Sequence, residues 1–372
     1  MARPTVLRPA RRGDVPGLDP KPSVLPLAPA FSADAPDPVL KAWLYAGFVA
    51  IVLGLIALDL GVFHRKARVI GMREALGWTS VWVTLALLFS VAVYFMYDAR
   101  FLGLGLDVPV LGRPGETETL RAIDAFKLFL TGYVVEESLS LDNVFVIAMV
   151  FAALRIPPAY QHRVLFWGII GALVLRGTMI FAGYELVRRV SWITYVFGGF
   201  LVFTALKMAT VREEASDPEK GLAMRLAPRI LPVSPRLDGQ KLTTIIDGRR
   251  HATPLFVALV LVELTDVVFA LDSIPAIFAI TADPFLVFSS NVFAILGLRS
   301  LYFCLAAAMT SLRYLKPALV LVLLFIGVKM CLVHTPLKVP TDVALLVVLG
   351  LLGGGVVASL IARRREPKDA TD

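Results

Sequence analysis

The sequence predicts an all-α, polytopic membrane protein of about nine transmembrane helices with a three-plus-three inverted repeat. Hydrophobic residues make up 57% of the 372 positions, charged residues only 18%, and the mean hydropathy is +0.75. An ordinary globular chain is nearer half apolar and a quarter charged. The apolar residues also fall in long runs, as at 39–63, 163–185, 285–311 and 340–362. Such runs match the roughly 30 Å hydrocarbon core of a bilayer. Finally, acids, an arginine and a lysine recur in the same order in two groups of runs. Composition alone excludes a soluble enzyme, a secreted disulfide scaffold and a disordered chain.

In chain order, residues 1–38 hold nine of the 24 prolines and no apolar run long enough for a signal-peptide core. They read as a disordered tail rather than a cleaved signal. Nine spans follow, at 39–63, 73–97, 123–154, 163–185, 191–209, 253–280, 285–311, 317–333 and 340–362. The third is too long to be wholly immersed, so its polar first turns are expected to project. Asp59 and His64 close the first span at an interface. GLGLD at 103–107 lacks the strand-to-helix setting of a nucleotide loop. Segment 210–252 carries eight basic and six acidic residues with Pro228, Pro232 and Pro235. It reads as a cytoplasmic linker between membrane halves 39–209 and 253–362. Gly350 and Gly354 form a GxxxG in the ninth span, a helix-packing pattern. Residues 363–372 form a short tail that starts basic.

The net charge of +8 does not point to nucleic acid, because no helix-turn-helix, zinc finger or aromatic-basic platform accompanies it. Its distribution instead sets topology. With the N-terminus outside, the inner segments collect twenty of the 37 lysines and arginines, eight of them in 210–252. The outer loops hold far fewer, although the N-terminal tail opposes the trend with six, counting Lys41. The excess places the C-terminus in the cytoplasm. Cys304 and Cys331 sit in apolar stretches without a CxxC, as packed thiols. The four histidines form no HExxH, so no zinc site is expected.

The repeat is explicit in the residues. Span 3 has Glu136 and, six residues on, Asp142–Asn143; span 6 has Asp266 and, six residues on, Asp272–Ser273. LVLRGTMIF around Arg176 matches LGLRSLYF around Arg299, and FTALKM ending at Lys207–Met208 matches FIGVKM ending at Lys329–Met330. Each unit holds three spans, an odd number, so the second must enter the membrane upside down relative to the first. Secondary transporters built this way place their ion sites near the midplane between repeats.

Charges inside spans cost about 2.5–3.5 kcal/mol each at a helix centre, and they are expected to pair, titrate or bind an ion. Spans 3 and 6 carry Glu136, Glu137, Asp142, Glu263, Asp266 and Asp272. Two arginines cannot neutralise six carboxylates. On ideal helices Glu136, Ser140 and Asn143 share a face, as do Glu263, Asp266, Ala270 and Ser273. Asp142 and Asp272 lie about a third of a turn away. They join the others only if the helix unwinds, as Pro275 suggests for span 6, or if neighbouring spans wrap around it. Carboxylate, amide and hydroxyl oxygens without histidine or thiolate suit a hard divalent cation. The candidate metal ligands are thus Glu136, Asp142, Asn143, Glu263, Asp266, Asp272 and Ser273. Arg176, Arg299, Lys207 and Lys329 are the charge-balancing groups, the two lysines also being placed to snorkel.

VVEESLSLDNVFVIAMVF (134–151) and VELTDVVFALDSIPAIFAIT (262–281) resemble the paired signatures of the TerC/Alx family, and NVFAILGLRSLYF (291–303), FIGVKM and LDLGVFHRK (58–66) extend the likeness over residues 40–335. The long proline-rich tail departs from the family's short start. The resemblance implies a multi-pass protein of the bacterial inner membrane, in the LysE-like transporter group, associated with tellurium resistance and with manganese export. The expected function is therefore export of a divalent metal, Mn2+ foremost, through a midplane carboxylate site. Its expected partners are the lipid bilayer, the transported ion and protons, with no permanently bound cofactor and no nucleic acid. The rival reading is a membrane scaffold or assembly factor that acts through loop 210–252. An enzyme is not expected, since no nucleophile–base pair or metal-hydrolase motif is present.

Overall fold

The computed structural model describes residues 38–58, 71–111, 113, 115–210, 232–234, 236–306, 314–333, 335 and 339–365. The tail at 1–37, Asp59, His64, His334, linker residues 211–231 and residues 366–372 lie outside the described residues. Among the described residues nine long helices follow one another: α1 (Pro38–Leu58), α2 (Met72–Asp98), α3 (Ala122–Ala153), α4 (Pro158–Arg189), α5 (Ile193–Thr210), α6 (Pro254–Phe278), α7 (Pro284–Ala306), α8 (Leu315–Cys331) and α9 (Thr341–Arg365). Each coincides with one expected span. The expected stretches 59–63 and 307–311 lie outside the described residues.

Seven of the nine are long and apolar enough to cross a membrane. The other two, α3 and α8, depart for different reasons. The acids of the repeat interrupt α3, whose 32 residues extend to about 48 Å. By contrast α8 is apolar but has only 17 residues, about 25 Å. Large apolar side chains such as Trp43, Ile51, Leu88, Phe95, Phe203 and Leu346 are exposed, as lipid-facing positions should be. The inverse holds for α7, where residues 285–302 are buried without exception. A helix covered on every side, its serines, Asn291 and Arg299 included, sits at the centre of the bundle. The outer pair α1 and α2 attaches to it through Phe48, Phe89 and Phe293, with the rings of Phe89 and Phe293 4.6 Å apart.

The two triplets α3–α4–α5 and α6–α7–α8 interlock as inverted copies. A Cβ at Gly132 would meet Ser290 Oγ at 3.0 Å, and five residues on Glu137 lies against Gly297, so α3 and α7 run parallel. Gly168 faces Val262 and Gly183 faces Phe278, so α4 and α6 also run parallel. Exchanging the triplets turns the first pair into the second. Parallel contacts between helices four or two crossings apart are what an upside-down second copy requires. The third helices pack on each other, closest at Gly198 and Gly327, where a Cβ on either would come 2.9 Å from the other's carbonyl oxygen.

Two local features differ from expectation. Gly350 and Gly354 have open space around them, and the glycine that packs α9 on α8 is Gly355, against Ala318 and the Tyr314 carbonyl. The GxxxG pair therefore makes no helix contact among the described residues, and the close approach falls on the adjacent glycine. The linker also ends in a hairpin, β3 (Thr243–Ile246) with β4 (Arg249–Ala252), turned at Asp247–Gly248 with both φ positive. Asp-Gly is a strong two-residue hairpin signal, and it stands in the sequence. A second small ladder, β1 (Val108–Pro109) with β2 (Thr117–Glu118), folds the loop between α2 and α3.

The central helix is capped from within. Asp283 Oδ1 accepts the amides of Phe285 (2.9 Å) and Leu286 (3.2 Å), while Tyr97 Oη donates to Oδ2 at 2.9 Å. Burial pushes the Asp283 carboxyl above its ordinary range, and these hydrogen bonds pull it back. Asp283→Ala orphans all three donors and is expected to cost about 1–3 kcal/mol. Thermal unfolding in detergent should show this as an earlier transition, with Asp283→Asn, which keeps the cap, falling between.

Candidate functional site

A cavity of about 490 Å3 opens among α3, α4, α5, α6 and α8. Its walls carry Glu136, Asp142 and Asn143 from α3, Arg176 from α4, and Asp272 with Ser273 from α6. From α5 come Thr204 and Lys207, and from the start of α8 comes Lys316. It therefore runs from the middle of α4 toward the helix ends marked by Lys207 and Lys316. Seven of the eleven residues singled out in the sequence line it.

The face problem posed by Asp142 and Asp272 is solved without unwinding. Helix α3 is continuous through Asp142, and α5 and α8 close around it, so residues from adjacent faces reach one cavity. The break expected in α6 is absent: the helix continues through Pro275 to Phe278. Pro275 falls in the last turn, where its missing N–H removes a single hydrogen bond near the helix end.

Arg176 is the hub. Its guanidinium gives Nε and Nη2 to the two carboxylate oxygens of Asp266, at 3.1 and 2.7 Å, and Nη1 to Glu136. The arginine is 1% exposed. Glu136 and Asp266 are equivalent positions of the repeat, so one arginine from the first copy binds the corresponding acid of each. Bidentate pairing of this kind fixes geometry as well as charge. Its counterpart Arg299 is also buried, in α7, but lines neither this cavity nor the smaller one described below. The lysines split the same way, Lys207 lining the large cavity and Lys329 lining neither.

Several oxygens of the expected set are left over. Glu136 Oε2, Asn143 Oδ1 and Ser273 Oγ are buried and accept or donate no hydrogen bond. Buried polar atoms almost always find partners, and an exception calls for a ligand or water. Thr204 Oγ1 donates to Asp272 Oδ1 at 3.1 Å, fixing that carboxylate against α5. Among the described residues no three His, Cys, Asp or Glu side chains converge tightly enough to hold a metal ion by themselves. The oxygens that face the cavity are mixed, amide and hydroxyl beside the acids.

Glu263 stands apart from the large cavity. Its carboxyl packs over Gly171 of α4, in space that a Cβ there would fill. It lines a separate cavity of about 20 Å3 with Asn143, Thr265 and Asp266. Glu137 lines neither cavity and lies against Gly297 of α7. Thr204 and Lys316 were missed in the sequence. Thr204 precedes Lys207 by three residues, one helical turn on the same face, and that spacing could have found it. Lys316 carries no comparable signal, because only the fold brings the start of α8 to the cavity.

Residues 122–367 match the family described as integral membrane protein TerC family. An uncharacterised membrane protein of Myxococcus xanthus is 50% identical over 329 residues, which cover 88% of this chain and 95% of that protein. The Escherichia coli K12 protein provisionally named membrane-bound redox modulator Alx is 42% identical over 311 residues, 83% of this chain and 91% of that one. An uncharacterised membrane protein of Rickettsia bellii is 37% identical over 316 residues, 85% and 96% of the two chains. No solved structure matches the chain. The chain belongs to the TerC family of integral membrane proteins.

Proposed function

We propose that this protein is a transporter, not an enzyme, that exports a divalent metal ion, Mn2+ foremost, across a bacterial inner membrane by alternating access. The observation that carries this reading is the large cavity, with buried, unpartnered oxygens of Glu136, Asn143 and Ser273 beside the carboxylates of Asp142 and Asp272. Both repeat copies contribute, as expected of a site at a repeat interface. Oxygen-only donors suit Mn2+, Mg2+ or Ca2+. The cavity is far roomier than a bare ion, so the ion would keep part of its water shell.

The basic residues that favour a cytoplasmic C-terminus lie on the side where the cavity ends, at Lys207 and Lys316. The cavity then faces inward, ready to load from the cytoplasm. The unequal placement of equivalent cations supports the same state: Arg176 and Lys207 line the cavity, Arg299 and Lys329 do not. In the outward-facing state the two copies would trade these environments. Arg176 would hold Glu136 and Asp266 while the site is empty and loosen as a cation arrives. Tellurium resistance would follow from altered metal balance rather than from tellurite passage.

The test is flux in proteoliposomes with Mn2+, Mg2+, Ca2+ and tellurite offered separately. Saturable Mn2+ flux without tellurite flux is the expected result. No flux of any ion by correctly folded protein would overturn the proposal in favour of a scaffold.

A further inference from the structure

The small cavity between α3, α4 and α6 is not an annex of the large one. At about 20 Å3 it has room for a single ion or water. Its polar wall is Glu263, Asp266, Thr265 and Asn143, and the rest is apolar, including Leu165, Ile169 and Leu298. Asn143 is 4% exposed and its Oδ1 has no hydrogen-bond partner; Glu263 Oε2 is likewise buried and unpartnered. The Thr265 hydroxyl donates its proton to the Val262 carbonyl at 2.8 Å, so toward the cavity its oxygen can only accept. Both Asp266 oxygens face the Arg176 guanidinium and keep further lone pairs.

We infer that this cavity is a second cation site, sized for one dehydrated monovalent ion of the sodium class, with Glu263, Asp266, Asn143 and Thr265 supplying oxygens. Four acceptor groups around one small volume are the reason. A water molecule donates only two hydrogen bonds and would leave acceptors unmet, whereas a cation can satisfy all of them. An anion is repelled by the same groups. Mg2+ keeps several waters and demands six ligands in octahedral array, and Ca2+ takes six to eight oxygens. The cavity has no room for the waters Mg2+ keeps, and with Asp266 already paired to Arg176 it offers about one uncompensated carboxylate, the charge of a monovalent rather than a Ca2+ site.

The position of the site suggests its use. Asn143 lines both cavities, and Asp266 is joined through Arg176 to Glu136 of the larger one. An ion in the small cavity competes with Arg176 for Asp266 and so biases the arginine's hold on Glu136. That makes it a coupling-ion site, and it stands whichever substrate the larger cavity carries. Gly171 belongs to the design, since any side chain there would occupy the place of the Glu263 carboxyl.

The experiment is equilibrium dialysis of purified full-length protein in detergent against 22Na+, with choline replacing sodium to hold ionic strength. Wild type should bind Na+ saturably at one site. Glu263→Gln should weaken binding by about tenfold or more, the equivalent of 1.4 kcal/mol. Thr265→Val removes one oxygen without altering charge or shape, so it serves even if Glu263→Gln fails to fold; binding several-fold weaker is expected. Asp272→Asn, in the other cavity, should leave Na+ binding in place. Absence of saturable Na+ binding by folded wild type overturns the inference. So does binding that survives both Glu263→Gln and Thr265→Val, or that disappears only with Asp272→Asn. Intact Na+ binding without metal flux would instead refute the metal-transport reading alone.

Discussion

Asp272→Asn is expected to lower Mn2+ flux in proteoliposomes by at least about a hundredfold, and Asp142→Asn to do the same. A unit charge 4 Å from an ion in an effective dielectric of about 20 is worth about 4 kcal/mol. A dication feels twice that, and the cost of stripping water from the carboxylate offsets part. If about 2.8 kcal/mol survives, affinity falls a hundredfold. The fold should survive, because asparagine is isosteric and can still accept the hydrogen bond that Thr204 gives Asp272. The two aspartates come from different repeat copies, so equal losses would mark a shared site. Wild-type flux in both variants would refute the site outright, whereas loss in only one would confine it to a single copy. The scaffold reading predicts the opposite pattern: neutral acids, and function lost on deleting residues within 210–252.

Arg176→Met is expected to lose folded protein. Removing one member of a buried charge network typically costs about 3–5 kcal/mol, because the partner charges remain buried and uncompensated. Here two partners, Glu136 and Asp266, would be stranded by one change. Native proteins have only about 5–15 kcal/mol in total. Gel filtration and thermal unfolding in detergent should therefore show aggregated or early-melting material. Arg176→Lys should recover part of the loss, since one ammonium cannot match a guanidinium that serves two carboxylates. The combination Arg176→Met, Glu136→Gln, Asp266→Asn removes all three charges together and should restore folding without flux. A stable, fully active Arg176→Met protein would show that the acids do not depend on the arginine.

The helices were legible because lipid imposes a simple requirement. Every backbone polar group in the hydrocarbon must be satisfied within its own segment, so a run of about twenty apolar residues has little choice but helix. Even α3, where the acids dilute the hydropathy signal, was found, because its flanking apolar residues and the repeat marked it. The limits appeared where structure depends on more than local composition. Pro275 suggested a broken helix, yet a proline in the last turn disrupts little. Gly350 and Gly354 carried the packing motif, but packing fell on Gly355 because rotation of α9 is set by α8 and not by spacing.

The candidate site divides along the same line. The acid pairs, the arginines and the lysines could be read from sequence because the chain states them twice, at matched spacing and in places where charge is costly. The repeat also required inversion, since three spans per copy leave no alternative. Sequence could not say which of two equivalent residues lines the cavity, because a repeat makes both look alike. Only the packing placed Arg176 between Glu136 and Asp266, kept Arg299 and Lys329 out of the cavity lining, and set Glu263 against Gly171 in a second cavity. The reason is geometric. Local sequence fixes which face of a helix a residue occupies, but what that face meets is decided by neighbouring helices arriving from distant parts of the chain.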